Sequence, residues 1–396
     1  NGTAQTIEYN YDSRGNCIKL GYKNGNDTEE WSYGYDNKSR LTSVRNNKTA
    51  RTEALYSYDS NGNLIKQTYG NGTETAYTYN GGNMILSMIN RQNGNEISKY
   101  NYAYNPDGNI KAVTSAYDTA NGVKNMETTY LYYNSGRMKR ELYKYGNITM
   151  FKAYIYDEYG NRIRRNMYTY LNGGLETEIT EYTYDEENKL LTEKTEGKVT
   201  SYTYDDNGNQ IKKADSYESE EKSDTLILGI YDPKESKYKT EESKYDAFNQ
   251  LIEVKESVNA EYKYRPDGLR LSKTADGNKT DFVWNGSQIL AEKGKGGTNV
   301  YSYGISRINS SKNKSVNHYY VYNGHGDVVQ LTGNGSGKNL LKTYEYDAYG
   351  NEESKDGNDT NPFRYCGEYF DNETDNIYLR ARYYNPRAGR FVTEDP

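Results

Sequence analysis

The sequence predicts an all-β fold built from β-hairpins in series, and three observations support this prediction. The phrase Tyr-x-Tyr-Asp-x-x-Gly-Asn, followed by apolar residues, recurs along the chain, for example as YSYDSNGNLI and YTYDDNGNQI. The 396 residues include 47 tyrosines but only 6 prolines. No stretch shows sustained helical periodicity. A phrase repeated so often indicates one small unit that is copied many times.

The second tyrosine of the phrase marks each unit. It recurs at steps of roughly 19 to 29 residues, the range of repeat arrays, with one double-length gap between Tyr204 and Tyr245. We therefore expect one continuous array rather than several globular domains. In the five clearest copies this tyrosine is expected to be structural and to pack across strands, at Tyr11, Tyr58, Tyr104, Tyr156 and Tyr204.

Strand and turn signals alternate within each unit. Thr, Tyr, Val and Ile dominate the alternating positions around the phrase, which favours β-strands. In Asp-x-x-Gly-Asn the Asp accepts hydrogen bonds from nearby backbone and the Gly takes a positive φ, so this segment predicts a tight turn. Each unit is thus a hairpin. Because strands twist, we expect the series to coil into a spiral, hollow, cocoon-like shell, complete or partial.

Composition and charge exclude some structural and functional classes for this chain. Leu, Ile, Val and Phe make up about 15% of the chain, below the roughly 20% at which disorder becomes the default expectation, so tyrosine rings must supply the missing apolar surface. The net charge of -6 is spread along the chain. This argues against a nucleic-acid partner or an anionic membrane surface. No apolar run approaches a membrane helix, so no membrane insertion is expected.

The repeat pattern changes twice along the chain. Segment 215–243 interrupts it and is predicted to be an insertion or a degenerate unit with a mobile outer loop. The pattern then separates a repeat region at 1–320 from a continuous C-terminal segment at 321–396. Because the chain begins without Met and in mid-repeat, we expect it to be a fragment of a longer protein.

The cysteines and histidines predict no metal site and no cofactor. Cys17 and Cys366 lie near opposite ends of the chain and outside any metal-binding spacing, so free, buried thiols are expected. His325 follows Gly in Asn-Gly-His-Gly-Asp and is expected to be an exposed turn residue. The alternative for His325 is a metal or acid–base role together with Asp327.

The repeated phrase resembles the YD repeat, also called the Rhs repeat, over essentially the whole chain. The last 75 or so residues resemble the Rhs-associated core segment that follows such repeats. The residues that carry this second resemblance are Asp347-Ala348-Tyr349-Gly350, Pro362-Phe363-Arg364-Tyr365, Gly367-Glu368-Tyr369, Ala381-Arg382-Tyr383-Tyr384, Gly389-Arg390-Phe391 and Asp395-Pro396. The resemblance implies a hollow β-shell whose walls are lined by tyrosine.

In bacterial members of the family the shell surrounds a variable C-terminal toxin. The resemblance therefore implies a structural module of a secreted or cell-surface bacterial toxin, which encloses and delivers a C-terminal effector absent from this sequence. Its partner would be that toxin segment of its own chain. An alternative is a cell-surface adhesion or carbohydrate-binding protein that meets cell-wall sugars. In either case the fragment itself is expected to have no enzymatic activity.

A third possibility, also implied by the resemblance, is aspartic self-proteolysis in the full-length chain. Two carboxylates that share a proton can activate water at a peptide bond. The candidate pair is Asp371 and Asp395, with Arg364 or Arg382 close enough in sequence to set their charge. The sequence departs from the family pattern at Asp375, where Gly is common, and at Asn385, where Asp is common. The second change is expected to keep the turn.

Overall fold

The computed structural model describes residues 5–25, 27–217, 240–255, 259–312, 315–353 and 359–393. Over these residues the chain is almost entirely β-strand, and the one helical segment is a short 3-10 turn at Tyr365–Gly367. Consecutive strands pair antiparallel with register defined residue by residue, as β1 with β2 (Gln5–Tyr11 with Cys17–Asn24). The predicted all-β fold of serial hairpins is confirmed.

Twenty-nine strands of the described residues belong to one sheet, and four short strands form a second sheet. The first eleven strands are β1 (Gln5–Tyr11), β2 (Cys17–Asn24), β3 (Asp27–Tyr35), β4 (Leu41–Asn46), β5 (Arg51–Tyr58), β6 (Leu64–Tyr69), β7 (Thr73–Tyr79), β8 (Ile85–Gln92), β9 (Asn95–Tyr104), β10 (Ile110–Thr119) and β11 (Gly122–Tyr132). The next eleven are β12 (Met138–Tyr145), β13 (Ile148–Tyr156), β14 (Arg162–Leu171), β15 (Gly174–Tyr184), β16 (Leu190–Thr195), β17 (Lys198–Tyr204), β18 (Gln210–Tyr217), β19 (Thr240–Tyr245), β20 (Leu251–Lys255), β21 (Ala260–Tyr264) and β22 (Arg270–Ala275).

The remaining strands run into the C-terminal segment. They are β23 (Asn278–Asn285), β24 (Gln288–Gly294), β25 (Gly297–Tyr303), β26 (Arg307–Lys312), β27 (Ser315–Tyr322), β28 (Val328–Thr332) and β29 (Leu340–Thr343) in the large sheet. The small sheet contains β30 (Tyr369–Asp371), β31 (Asn376–Tyr378), β32 (Tyr383–Asn385) and β33 (Arg390–Phe391).

The chain divides into two compact units. Unit 1 comprises Asn1–Met126 and Thr280–Phe370, and unit 2 comprises Glu127–Lys279 and Asp371–Pro396. Each unit therefore combines repeat strands with residues from the segment 321–396.

The turn of each hairpin is fixed by the Asp and Asn of the repeated phrase. Asp59 Oδ1 accepts the backbone N–H of Asn63 at 2.8 Å, and Gly62, at a φ of 95°, closes the turn onto the Asp59 carbonyl. The positive φ explains why Gly occupies this position. The Asn63 side chain then donates to Asp59 Oδ2 and to Asn83 Oδ1 of the next turn, both at 2.9 Å. Equivalent side-chain bridges to the next turn join Asn16 to Ser39, Asn161 to Asn188, and Asn209 to Asn249.

The second tyrosine of the phrase joins its unit to the preceding one. The Tyr58 hydroxyl donates to the carbonyl of Leu41 at 2.8 Å, and Leu41 is the first residue of β4. We call this contact the inter-unit hydroxyl bond. The same bond runs from Tyr35 to Cys17, Tyr79 to Leu64, Tyr104 to Ile85, Tyr184 to Arg162, Tyr204 to Leu190, Tyr245 to Gln210, Tyr264 to Leu251, Tyr322 to Arg307 and Tyr346 to Val328.

Ring contacts involve the other two predicted structural tyrosines, Tyr156 and Tyr11. Tyr156 is half-buried, and its ring lies edge-on to that of Tyr133 with centroids 5.9 Å apart. Tyr11, in the first hairpin, is 59% exposed and stacks on Tyr9 at 6.2 Å. Tyr11 therefore provides a reference tyrosine at the start of the array.

Replacing Tyr58 by Phe is expected to lower the free energy of unfolding by about 1 kcal/mol, the usual net contribution of one hydrogen bond. The ring is retained, so only the inter-unit hydroxyl bond to the Leu41 carbonyl is lost. Denaturant unfolding measures the change. Tyr11→Phe is the matched control and should change stability by less than about 0.5 kcal/mol, because an exposed side chain is altered. Equal losses in the two variants would contradict a stabilising role for the bond.

Unit 1 has a core in which two series of hairpins face each other. Trp31, 1% exposed, donates its indole N–H to Ser302 Oγ at 3.0 Å, and the rings of Tyr69 and Tyr319 stack 6.0 Å apart. Strands β2 to β6 and β23 to β27 contribute aliphatic residues to the same core: Leu20, Val44, Ala54, Val283, Leu290, Ala291, Val300, Ile308 and Val316. Tyrosine thus shares this core with aliphatic side chains rather than replacing them.

The predicted insertion at 215–243 begins and ends in paired strands. Its first residues complete β18 and its last residues begin β19, and across this junction Lys212 pairs with Glu242 and Ala214 with Thr240. Residues 218–239, where the mobile loop was predicted, lie outside the described residues. The strands on either side therefore form a hairpin like the others, with the insertion in its connection.

Candidate functional site

Asp371, one of the two candidate catalytic carboxylates, lies buried in unit 2 between two cations. Its Oδ2 is 2.5 Å from Arg270 Nη1, and its Oδ1 is 2.8 Å from Lys273 Nζ. The side chains of Asp371 and Arg270 are both 0% exposed. Asp371 also heads a turn, because its carbonyl accepts the N–H groups of Thr374 and Asp375. Two cations therefore hold the Asp371 side chain, while the turn holds its backbone.

Glu373 completes this buried charge cluster. Lys273 Nζ lies 3.0 Å from each Glu373 carboxylate oxygen, and the Tyr262 hydroxyl donates to Oε1 at 3.1 Å. Burial alone would raise the pKa of Asp371, but the charges of Arg270 and Lys273 outweigh it and hold that pKa below its ordinary value. Burial likewise opposes the charge on Lys273, yet Asp371 and Glu373 raise its pKa. The cluster thus favours the charged forms of Asp371 and Lys273.

Tyrosines enclose the Arg270 guanidinium. Its carbon lies 4.2 Å from the centroid of the Tyr378 ring and 5.5 Å from that of Tyr262. The Tyr383 hydroxyl is 3.3 Å from Arg270 Nη1 and 3.0 Å from the Tyr264 hydroxyl, and the Tyr378 hydroxyl accepts the Arg270 backbone N–H at 2.9 Å. A buried polar network with this many partners is rigid. Its geometry suits holding the C-terminal segment against β21 and β22.

The other member of the candidate pair, Asp395, lies outside the described residues. The pair Asp371 and Asp395 therefore stays a prediction. The cations that set the charge of Asp371 are Arg270 and Lys273. Of the two arginines expected near it, Arg364 pairs with Glu352 at 2.7 Å in unit 1, and the Arg382 guanidinium lies 3.6 Å over a phenylalanine ring.

Arg270 and Lys273 were not predicted from the sequence, because two residues three positions apart in a strand are not expected to share a face. Residues three apart in a regular strand point to opposite faces. Here a register shift between Lys263 and Tyr264 sets Lys273 opposite Tyr262 and Arg270 opposite Tyr264. Since the two tyrosines of the phrase share a face, their partners share it too. The register shift at the second tyrosine, which recurs in most hairpins, is the signal that could have placed both cations.

The two departures from the family pattern fit the local backbone. Asp375 has a φ of 57°, in the left-handed region that favours Gly, so the common Gly at this position is explained and the Asp is tolerated with strain. Asn385 Oδ1 accepts the backbone N–H of Ala388 at 3.0 Å, which any carboxylate oxygen could also do. The expectation that Asn385 keeps the turn is confirmed.

The three residues Gly389, Arg390 and Phe391 form a turn and the start of β33. Gly389 has a φ of 68°, and its N–H donates to the Asn385 carbonyl at 2.8 Å. Phe391 packs edge-on against Tyr384 with centroids 5.9 Å apart. Gly389 therefore permits the tight return that brings Phe391 back onto β32.

The segment 387–392 is anchored on the tyrosine-bearing face of β14 to β18 in unit 2. Arg387 Nε lies 2.8 Å from the buried Glu193 Oε1, and Arg390 Nη2 donates to the Asn188 carbonyl at 3.0 Å. The Arg390 guanidinium also lies 5.2 Å from the Tyr184 ring centroid. Ala388 packs against the small core formed by Tyr182, Leu190 and Tyr202, and the Val392 carbonyl accepts the N–H of Gln210. The last described residues of the chain thus lie on that face.

Part of the repeat region matches a known protein family. Residues 1–172 match the family described as Teneurin YD-shell. Over 145 residues, 35% of this chain, the sequence is 40% identical to the tRNA3(Ser)-specific nuclease WapA of Bacillus spizizenii and 35% identical to the tRNA nuclease WapA of Bacillus subtilis strain 168. Residues 1–172 are therefore similar to YD-shell repeats. The residues that match WapA correspond to 6% of the length of each WapA protein.

A solved structure shows the same fold over the whole chain. The chain superposes over 100% of its length on 22% of a chain of the Photorhabdus luminescens Tc holotoxin pore, with a TM-score of 0.65 and 14% sequence identity. At that identity the likeness concerns the fold alone. Within the described residues, no helix is long and apolar enough to cross a membrane.

Proposed function

We propose that this chain is the structural encapsulation module of a secreted bacterial toxin, which encloses and delivers an effector that follows it in the parent protein. The anchoring of residues 387–392 on the tyrosine-bearing face of unit 2 is the observation that carries the proposal. An effector that follows this segment in the parent protein would therefore be tethered close to this face.

The comparisons support this proposal in two ways. The WapA relatives are named as nucleases of tRNA, while the part of them that resembles this chain is 6% of their length. The fold of the whole chain is found in the Photorhabdus luminescens Tc holotoxin pore. In this proposal the repeats enclose the effector, and the effector carries the activity of the parent toxin.

Protease protection of the full-length parent protein tests the encapsulation. The effector segment is expected to resist a protease that digests the same segment when it is produced alone. Arg387→Ala removes the ion pair with Glu193 and should expose the effector to digestion at least several-fold faster. Arg265→Ala, which removes a solvent-exposed pair with Asp267, is the matched control and should leave protection intact.

Digestion of the effector at the same rate in the full-length protein and alone would contradict encapsulation. Tight binding of purified cell-wall polysaccharide together with that result would favour the adhesion alternative. That alternative needs exposed tyrosine faces, whereas Tyr58, Tyr104 and Tyr204 are half-buried and their hydroxyls make inter-unit hydroxyl bonds.

Self-cleavage is a separate proposal for the parent chain and rests on Asp395. If this carboxylate activates water, Asp395→Asn should leave the full-length protein uncut where the wild type is cut, and Glu394→Gln should be cut normally. Gel electrophoresis with intact-mass measurement distinguishes cut from uncut protein. Cleavage of the Asp395→Asn variant at the wild-type rate would exclude a catalytic role for Asp395.

A further inference from the structure

A turn and a distant cysteine meet in unit 1. Among the described residues, His325, Asp327 and Cys366 form a group whose potential metal-binding atoms all lie within 4.8 Å of one another. His325 Nδ1 is 2.9 Å from Asp327 Oδ1 and 4.0 Å from Cys366 Sγ. His325 and Asp327 occupy one hairpin turn, whereas Cys366 lies in the 3-10 turn of the C-terminal segment. The fold therefore brings the distant Cys366 thiol to the imidazole and the carboxylate of this turn.

The hairpin turn that carries His325 and Asp327 is fixed by Asn323. The Asn323 side-chain oxygen accepts the backbone N–H groups of His325 and Asp327, both at 3.0 Å. Its side-chain amide donates to Asp327 Oδ2 at 2.8 Å. The Asp327 carboxylate is thus oriented by a neighbour, as a second shell orients metal ligands.

The turn that carries Cys366 is fixed just as firmly. The Cys366 N–H donates to Asp327 Oδ1 at 2.9 Å, and the backbone N–H of Val328 donates to the Arg364 carbonyl at 2.9 Å. Arg307 Nη1 donates to the Gly367 carbonyl at 3.0 Å. These bonds hold the cysteine next to the hairpin turn before any ligand arrives, so little ordering would be required on binding.

The donor set selects a class of cation. A thiolate, an imidazole and a carboxylate are the ligands of Zn²⁺ and of similar borderline divalent ions. Ligand bonds of about 2.0 to 2.3 Å at tetrahedral angles place neighbouring ligand atoms roughly 3.3 to 3.6 Å apart. The observed separations of 2.9 and 4.0 Å bracket that spacing. Rotation of the exposed His325 and Cys366 side chains would bring the three ligand atoms to that spacing.

We propose that His325 Nδ1, Asp327 Oδ1 and Cys366 Sγ bind one Zn²⁺-class divalent cation at the surface of unit 1. Three protein ligands leave a fourth position open, and it faces solvent because Cys366 is exposed and the His325 side chain is 50% exposed. The cation would take the place of the thiol proton and of any proton on His325 Nδ1.

Titration with Co²⁺ tests the proposal, because thiolate ligation gives a charge-transfer absorption band that oxygen and nitrogen ligands do not. The purified chain is expected to bind one equivalent of Co²⁺ with this band, and Zn²⁺ should displace it. Cys366→Ser should abolish the band and weaken Zn²⁺ binding, measured by calorimetry, at least about 100-fold, more than the loss of an outer-shell partner. His325→Ala should weaken Zn²⁺ binding similarly.

Cys17→Ser is the matched control, since it removes the other free cysteine of the chain, which lies far from the turn in sequence and is half-buried. It should bind Co²⁺ and Zn²⁺ as the wild type does. Because Cys366 and His325 are exposed, neither substitution should unfold the chain, and far-UV circular dichroism checks this. Absence of the thiolate band in the wild type, or equal Zn²⁺ affinity of the wild type and Cys366→Ser, would overturn the proposal.

Discussion

Replacing Asp371 by Asn is expected to lower the free energy of unfolding by about 3–5 kcal/mol, the loss typical of a buried ion pair with one partner removed. The substitution preserves shape but leaves Arg270, whose side chain is 0% exposed, and Lys273 without their shared carboxylate. Glu373 still pairs with Lys273 in the variant. Chemical denaturation, followed by tyrosine fluorescence, measures the change.

The matched control for Asp371→Asn is Glu187→Gln, in a turn of the same unit. Glu187 is 68% exposed and pairs with Lys189 at the surface, so its loss should cost less than about 0.5 kcal/mol. The pKa of Asp371 is held below its ordinary value. Its contribution is therefore complete above about pH 4 and is lost as the pH falls through the lowered pKa. A loss below about 1 kcal/mol at neutral pH would show that the cluster is not a stabilising element.

Stability is expected to fall by up to about 3 kcal/mol between pH 6.5 and pH 4 because of one residue, His318. Burial lowers the pKa of His318 to about 4; the carboxylate of Asp359 acts in the opposite direction, and Arg307 reinforces the lowering. Its ring lies edge-on to Tyr320, with centroids 4.9 Å apart. Below pH 6.5 the unfolded chain protonates this histidine while the folded chain does not. Unfolding is therefore favoured as the pH falls towards 4.

The His318 prediction is checked by comparing unfolding curves of the wild type and His318→Gln at several pH values. Glutamine keeps a polar side chain that does not titrate, so the difference between the two proteins isolates the histidine from the carboxylates that titrate in the same range. The variant should lose about 3 kcal/mol less than the wild type over this interval. Parallel pH profiles would contradict the prediction.

The sequence alone was enough to predict the hairpins and their turns, because these depend on residues close together in the chain. One hairpin turn, for example, is determined within five positions by Asp59, Gly62 and Asn63. The same residue types recur in each copy of the phrase. Alternation of side chains within strands is equally local. The all-β series of hairpins followed from these signals without any knowledge of which strand faces which.

Contacts between distant segments were not predictable in the same way. Asp371 meets Arg270 and Lys273 about one hundred positions away, and Cys366 meets His325 some forty positions away. Both contacts depend on where the C-terminal segment packs against the strands. The repeat pattern of the sequence contains no information about that position. The expectation of a buried Cys366 was wrong for this reason: its turn presents the thiol to solvent. Cys17 is half-buried and donates to the Lys19 carbonyl at 3.3 Å.

The inter-unit hydroxyl bond and the asparagine bridge have a consequence for how such a chain can grow. Both link a unit only to its immediate neighbour, and both persist where the chain carries its long insertion. Tyr245 still donates to the Gln210 carbonyl, and Asn209 still donates to Asn249. These two contacts are of the nearest-neighbour kind that repeat arrays use. New sequence inserted in the connection between two hairpins, as between β18 and β19, can therefore leave both contacts in place.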